Sequence, residues 1–133
     1  MESTISFDLV SPEQLVFNDQ AGMIIVPGKE GDIGVLPGHS KLLSSLRAGR
    51  VMVYGEDKHL LQSFFVSGGF AEINPEKCIV LAEEVEEMSA LVKGTIEQQV
   101  RELENETSDE SKIQYLIAKS KIEALNSPHY EKI

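Results

Sequence analysis

The sequence predicts a β-sandwich over residues 1–84 followed by an antiparallel two-helix hairpin over residues 85–133. Three observations carry that prediction. The first part is a series of short apolar runs, several alternating with period two and separated by turn residues every few positions, with no helical periodicity. After Ser89 there is no proline until Pro128 and only one glycine, Gly94, while apolar residues recur three and four apart. Finally, 41% of the 133 residues are apolar but Trp is absent and aromatics make up 6%, which suits a core of Val, Ile, Leu and a few Phe.

Taken in order, Ile5-Ser6-Phe7-Asp8-Leu9-Val10 alternates as a half-buried strand should. Ser11-Pro12-Glu13 turns the chain into a second strand at Leu15-Val16-Phe17, and Asn18-Asp19-Gln20 reads as the next turn. Met23-Ile24-Ile25-Val26 is a strand ended by Pro27. Further strands are expected at Lys41–Leu46, Val51–Tyr54, His59–Val66, Phe70–Ile73 and Cys78–Ala82, with turns at Ala48-Gly49-Arg50, Gly55–Lys58, Ser67-Gly68-Gly69 and Asn74–Lys77. In the second part Val92, Ile96, Val100 and Leu103 form one stripe, and the acidic run Glu83–Glu87 ahead of them suits a helix N-terminus. Thr107 with Glu110 is a capping-box signature for a second helix, whose apolar face is Ile113, Leu116, Ile117, Ala124 and Leu125. So short a connection predicts antiparallel pairing, and a lone hairpin has too little core to stand without the sandwich or a partner.

The stretch Pro27–His39, P-G-K-E-G-D-I-G-V-L-P-G-H, concentrates turn chemistry around one short strand. Pro27-Gly28 and Pro37-Gly38 each suit the central positions of a type II turn. Gly31 and Gly34 are expected where a side chain is forbidden or another segment packs close. The stretch reads either as a shaped edge presenting Glu30, Asp32 and His39 outward or as an ordinary corner of a β-domain.

Charge narrows the partners. With 22 acidic and 12 basic residues the net charge is −10. Residues 1–84 carry 6 basic and 12 acidic groups and residues 85–133 carry 6 and 10, so neither part resembles a polyanion-binding arm. Docking on anionic lipid is disfavoured for the same reason. Cys78 alone can form neither an intrachain disulfide nor a zinc cluster, and its apolar strand marks it as a small buried hydrophobe. No secretory signal or membrane-length apolar run is visible, so a reducing compartment is expected and any membrane link runs through a partner.

No catalytic constellation emerges. His39, His59 and His129 are far apart and lack metal-ligand spacing. The glycines from Gly28 to Gly34 are not followed by Lys-Ser or a helix, so they do not make a phosphate loop. Ser67-Gly68-Gly69 lacks the elbow and partners of a nucleophile and reads as a bulge or tight turn. No cofactor is expected.

Specific blocks point elsewhere. V-S-P-E-Q at residues 10–14, G-D-I-G-V-L-P-G-H at 31–39, Leu42-Leu43, Gly49, G-G-F-A-E-I at 68–73 and V-L-A-E at 80–83 together resemble the epsilon-subunit family of bacterial F-type ATP synthases, whose mitochondrial counterpart is called delta. The resemblance spans essentially the whole chain and has the same sandwich-plus-hairpin architecture. It implies a non-catalytic rotor part at the cytoplasmic face of the bacterial inner membrane. There the sandwich binds the gamma subunit and rests on the polar loops of the c-ring. It thereby helps couple proton-driven rotation to ATP synthesis in the alpha/beta hexamer.

Carried over by motif, Glu30-Gly31-Asp32 is the candidate c-ring contact. Ser11 and His39 are candidates for the gamma-facing surface, with plain turn residues as the alternative for both. The resemblance further implies a hairpin that lies on the sandwich or extends into the hexamer to block hydrolysis. Some members bind ATP there through an aliphatic-Asp-x-x-Arg-Ala motif. The aligned stretch is Val85–Ala90, where Glu86 replaces the Asp, Ser89 the Arg and Ala90 is kept. The second helix has no Arg, and its Lys112, Lys119 and Lys121 face Asp109, Glu110 and Glu123. Weak or absent ATP binding is therefore expected. The alternative is an ATP-sensing module in which the hairpin holds nucleotide.

Overall fold

The computed structural model describes residues 3–127, so His129 lies outside the described residues. Ten strands come first: β1 (Ile5–Val10), β2 (Leu15–Ala21), β3 (Met23–Gly28), β4 (Gly31–Val35), β5 (Leu42–Leu46), β6 (Gly49–Tyr54), β7 (Leu60–Val66), β8 (Gly69–Ile73), β9 (Lys77–Ala82) and β10 (Val85–Glu87). A single 3-10 turn at Met88–Ala90 leads into α1 (Lys93–Leu103) and α2 (Asp109–Asn126). The expected β-sandwich followed by paired helices is the observed architecture.

The strands form one continuous sheet in the order β10-β7-β6-β3-β5-β8-β9-β1-β2, with β4 on the other edge of β3. All pairings are antiparallel except β1 with β9. The sheet closes over itself because alternate residues point inward from both halves. Ile5, Phe7 and Leu9, Ile24 and Val26, Val51 and Val53, Phe64 and Val66, and Cys78, Val80 and Ala82 fill one core. Phe17 bridges its two largest rings, 6.1 Å from Phe7 and 5.5 Å from Phe64. Cys78 is fully buried, and burial pushes its thiol up to about 12.

Strand β3 is buried along its whole length and changes partner halfway. Met23–Ile25 pair with β6, whereas Gly28 pairs with Leu46 of β5. Pro27 sits at the change. Its carbonyl accepts from Arg47 N at 2.9 Å, so the N–H it lacks belongs to the same edge, where the ladder is interrupted. Pro27 also explains Gly49: a Cβ there would lie 2.8 Å from Pro27 Cβ.

Several expectations are corrected. Pro27-Gly28 is strand, not a turn; the chain reverses at Lys29-Glu30, and Gly31 follows with φ +149°. Gly34 is ordinary strand with open space where its Cβ would be. Pro37-Gly38 does turn, with Gly38 at φ +85° and His39 N donating to Leu36 O at 3.1 Å. Asn18-Asp19-Gln20 lies within edge strand β2, where polar side chains face solvent and Asn18 pairs opposite Asp8. The sheet also continues past residue 84, because β10 pairs with β7. The acidic run therefore borders a strand, and the first turn of α1 contains no acidic residue.

The helices lie against the outer face of β6 and β7. Val92 is the exposed N-cap of α1, and Ile96 is its one buried residue. The cap of α2 is Ser108, not Thr107: its Oγ accepts from Ser111 N at 3.1 Å. The buried side of α2 is Ala118 and Ala124, while Ile113 and Leu116 are exposed. Ile113 is on the same side of α2 as Ala124, about three turns nearer its start, so position along the helix, not rotation, leaves it exposed. Lys121 reaches the sheet rather than the acids of its own helix. Its Nζ lies 3.1 Å from Glu86 Oε1 and 5.7 Å from the centre of the Phe65 ring.

Two tests follow from this packing. Phe64→Ala opens a cavity in the sandwich core and lowers the unfolding free energy in urea by about 3–5 kcal/mol. Leu116→Ala, by contrast, changes it by less than about 0.5 kcal/mol. Equal effects at the two sites would contradict the orientation of α2. At the sheet edge, Asn18 donates to Asp8 at 2.5 Å and Lys77 lies 3.1 Å away. The Asn18 hydrogen bond first, and then Lys77, hold the Asp8 carboxyl below its usual 3.8 despite some burial. Its stabilisation is thus present above pH 3.8 and is lost as pH falls through the lowered native value. Asn18→Ala should move the Asp8 carbon shift titration upward; an unchanged midpoint would remove Asn18 as the main cause.

Candidate partner-binding surfaces

The site residues expected from the sequence fall at two ends of the sandwich. Register decides which. Gly28 pairs with Leu46, Leu46 with Gly69, Gly69 with Ala82, and the neighbouring Leu81 with Val10. The β3–β4 tip carrying Glu30, Gly31 and Asp32 is therefore at the same end as Ser11. His39 is at the other end, where Gly38 N donates to Pro75 O at 2.8 Å beside the β8–β9 turn. The four residue steps of β9 from Lys77 to Leu81 separate the two ends by roughly 13 Å. The structure thus places Ser11 and the acidic loop at one end of the sandwich and His39 at the other.

Each of these residues has a local role. Ser11 closes its own turn, with Ser11 N donating to Gln14 O at 2.9 Å and Oγ to the same carbonyl at 3.3 Å. His39 is half-buried with Nδ1 2.7 Å from Ser40 O. Glu30 and Gly31 are exposed at the hairpin tip. Asp32 is held by Arg47, whose Nη2 lies 2.6 Å from Asp32 Oδ1 while Nη1 donates to Gly28 O at 2.5 Å. A guanidinium that forks between a carbonyl and a carboxylate fixes the tip in one shape. Sequence reading missed Arg47, because an arginine between two strands gives no pattern until the fold brings residue 32 beside it.

An apolar strip was also not foreseen. On the outer face of the sheet, Leu43 of β5, Phe70 of β8, Leu81 of β9, Val10 of β1 and Leu15 of β2 lie in adjacent strands. Phe70 pairs opposite Leu81, Leu81 opposite Val10 and Val10 opposite Leu15. Leu43 is 69% exposed, Phe70 53%, Leu81 49% and Leu15 56%. Val10, Ser11, Pro12, Phe70 and Leu81 also line a groove of about 410 Å³. Single exposed apolar residues are ordinary, but directly paired apolar residues across β8, β9, β1 and β2, with Leu43 of β5 diagonal to Phe70 beside Glu72, mark a candidate contact surface. The signal was present as apolar residues at outward-facing positions, but alternation within one strand cannot show that five strands align.

The candidate nucleotide motif is dispersed. Glu86 lies in β10 opposite Phe65, and its carboxylate accepts from Lys121 at 3.1 Å. Ser89 and Ala90 are exposed in the 3-10 turn. The hairpin is held instead by Arg50, the buried charged residue of the described chain. Its Nη1 donates to Ala124 O at 3.4 Å and Ser127 O at 3.2 Å. A cation at the carbonyl end of α2 satisfies groups the helix itself leaves open and complements its dipole. Lys93 Nζ, 2.9 Å from Asn126 Oδ1, ties α1 to the same end. Among the described residues no group of three or more His, Cys, Asp or Glu could hold a metal ion, and no helix is long and apolar enough to cross a membrane.

Comparison with known proteins agrees with this geometry. Residues 4–88 match the family described as ATP synthase, Delta/Epsilon chain, beta-sandwich domain. The chain is 37% identical over 129 residues to the ATP synthase epsilon chain of Rhodospirillum rubrum, covering 94% of this chain and 96% of that one. It is 39% identical over 113 residues to the epsilon chain of Rhodospirillum centenum, covering 82% and 77%. Its fold is shared, at a TM-score of 0.80 and 22% identity over 94% of this chain and 81% of the other, with a chain in the mitochondrial ATP synthase OSCP/F1/c-ring assembly of Euglena gracilis. With a matching sandwich domain and near full-length relatives, the chain belongs to the epsilon-chain family of ATP synthase, as a subunit that is not itself catalytic.

Proposed function

We propose that this chain is a central-stalk rotor subunit of a bacterial proton-translocating ATP synthase, peripheral to the cytoplasmic face of the inner membrane. In this reading it links the gamma subunit to the c-ring and so couples rotation to ATP synthesis. The observation that carries it is the apolar strip Leu43-Phe70-Leu81-Val10-Leu15, which offers a broad, pre-formed face to a protein partner. The strip ends beside Ser11, at the same end of the sandwich as the Glu30–Asp32 tip. Gamma occupies the strip, and the polar loops of the c-ring meet the acidic tip through basic groups without either entering lipid. Residues 1–84 act as the docking part and residues 85–133 as the regulatory arm, with β10 as the strand that joins them.

The arm is held on the sandwich chiefly by polar contacts: Arg50 to two carbonyls and Lys121 to Glu86. Its buried side chains are few and small. Such an element suits a switch between a docked form and one released toward the alpha/beta hexamer, where it would oppose hydrolysis. Nucleotide is a poor candidate for the trigger, because Glu86 is paired with Lys121 and Ser89 offers no guanidinium for phosphate.

The gamma reading is tested by Phe70→Glu, which places a charge in the middle of the strip. Co-purification with gamma should fall at least about tenfold, an outcome that removal of one anchor can produce. The melting temperature should barely move, since the side chain is half exposed. Undiminished co-purification would exclude the strip as the gamma surface. The nucleotide reading is tested by calorimetry of the full chain with millimolar Mg-ATP. No saturable heat is expected; a clear binding isotherm would restore the ATP-sensing alternative.

A further inference from the structure

The β5–β6 connection Arg47-Ala48 and the first residues of β6, Gly49-Arg50, where the sequence suggests a turn, hold two separate elements at once. Toward the β3–β4 tip, Arg47 makes three anchors: its N donates to Pro27 O at 2.9 Å, Nη1 to Gly28 O at 2.5 Å and Nη2 to Asp32 Oδ1 at 2.6 Å. Toward the helices, Arg50 caps the last carbonyls of α2. Between them lies a polar cavity of about 90 Å³ lined by Asp32, Arg47, Arg50, Ser120, Glu123 and Ser127. Two guanidiniums and two carboxylates therefore share one small space.

We propose that Arg47 and Arg50 are positioning residues that couple the Glu30–Asp32 tip to the helical hairpin, so that a basic partner group taking the Asp32 carboxylate loosens the seat of α2. This deepens the reading above, since it rests on the tip and the hairpin both being partner-facing elements. Three observations carry it. The segment has no slack: only two residues separate the arginines, and Gly49 backs directly onto Pro27. With Asp32 facing inward, two guanidiniums share the space with the carboxylates of Asp32 and Glu123. When an outside cation draws Asp32 away, Arg47 and Arg50 keep one lining carboxylate fewer between them, and their mutual repulsion rises. Finally, the Arg50 contacts at 3.2 and 3.4 Å are at the long end for such hydrogen bonds, so a small shift at the start of β6 weakens both. Linkage makes the effect reciprocal: release of α2 loosens the tip.

The test is hydrogen exchange on the isolated full chain, read by mass spectrometry on peptides from α2, β10 and the β3–β4 tip. Asp32→Asn removes the charge that a partner would neutralise. It should speed exchange in the second half of α2 and in β10 about fivefold or more, the low end of ordinary site–site coupling. Exchange in β1 and β9 should stay at the native rate, which shows that the core is intact. Arg47→Ala should have the same effect, and the double variant should go no further. Arg50→Ala should in turn speed exchange at the tip. Unchanged α2 exchange in Asp32→Asn would overturn the coupling, as would additive effects in the double variant. If Arg47→Ala disturbs the core peptides, Asp32→Asn and Arg50→Ala decide alone, because coupling requires each to act at the other's site. Partner binding plays no part in this readout. Failure here leaves the docking reading standing, and failure of Phe70→Glu leaves the coupling standing.

Discussion

Strand β3 must satisfy a buried backbone on both edges while handing one of those edges from β6 to β5. Buried N–H groups without partners cost heavily, so the hand-over needs a residue with no N–H to lose. Pro27 supplies it, and the consequences spread outward. Its carbonyl takes the amide of Arg47, which places that side chain over the β3–β4 tip. Its ring leaves room only for glycine at position 49, which sets where β6 begins and brings Arg50 beneath the end of α2. The acidic tip, the corner of the sandwich and the seat of the helices therefore depend on one proline.

The two parts of the chain are stabilised by different physics. The sandwich buries large side chains in alternation from nearly every strand, and it is the rigid part. The hairpin buries Ile96, Ala118 and Ala124 and is otherwise anchored by cations from the sheet and from its own helices. Ion pairs half open to water contribute little each. The arm is thus the less strongly anchored part of the described chain.

The sandwich was legible wherever alternation was strong. Ile5–Val10 lies where period two placed it, and Cys78–Ala82 where a short apolar run after a turn placed it. Strand β2 ran on through Asn18-Asp19-Gln20 because an edge strand tolerates polar residues that local propensity assigns to a turn. Pro27-Gly28 misled for the opposite reason: its turn signal is local, whereas its use, at a change of partner, is set by the topology. On α2, amphipathic spacing picked Ile113 and Leu116, but the helix is buried only further along, at Ala118 and Ala124, which spacing within the helix cannot show. Of the candidate site residues, Ser11, Glu30, Gly31, Asp32 and His39 could be named from motifs. Arg47, Arg50 and the strip through Phe70 could not, since each acquires meaning only from residues distant in sequence.

The central claim is that the outer face of β5, β8, β9 and β1 is the docking surface, with the hairpin kept apart from it. Hydrogen exchange of the chain alone, compared with the chain inside the purified ATP synthase, addresses this directly. The account predicts new protection concentrated on the segments around Val10–Pro12, Leu42–Ser44, Phe70 and Leu81, together with the Glu30–Asp32 tip. Protection confined to the Ile113–Leu116 side of α2, with those strands exchanging as in the free chain, would contradict it.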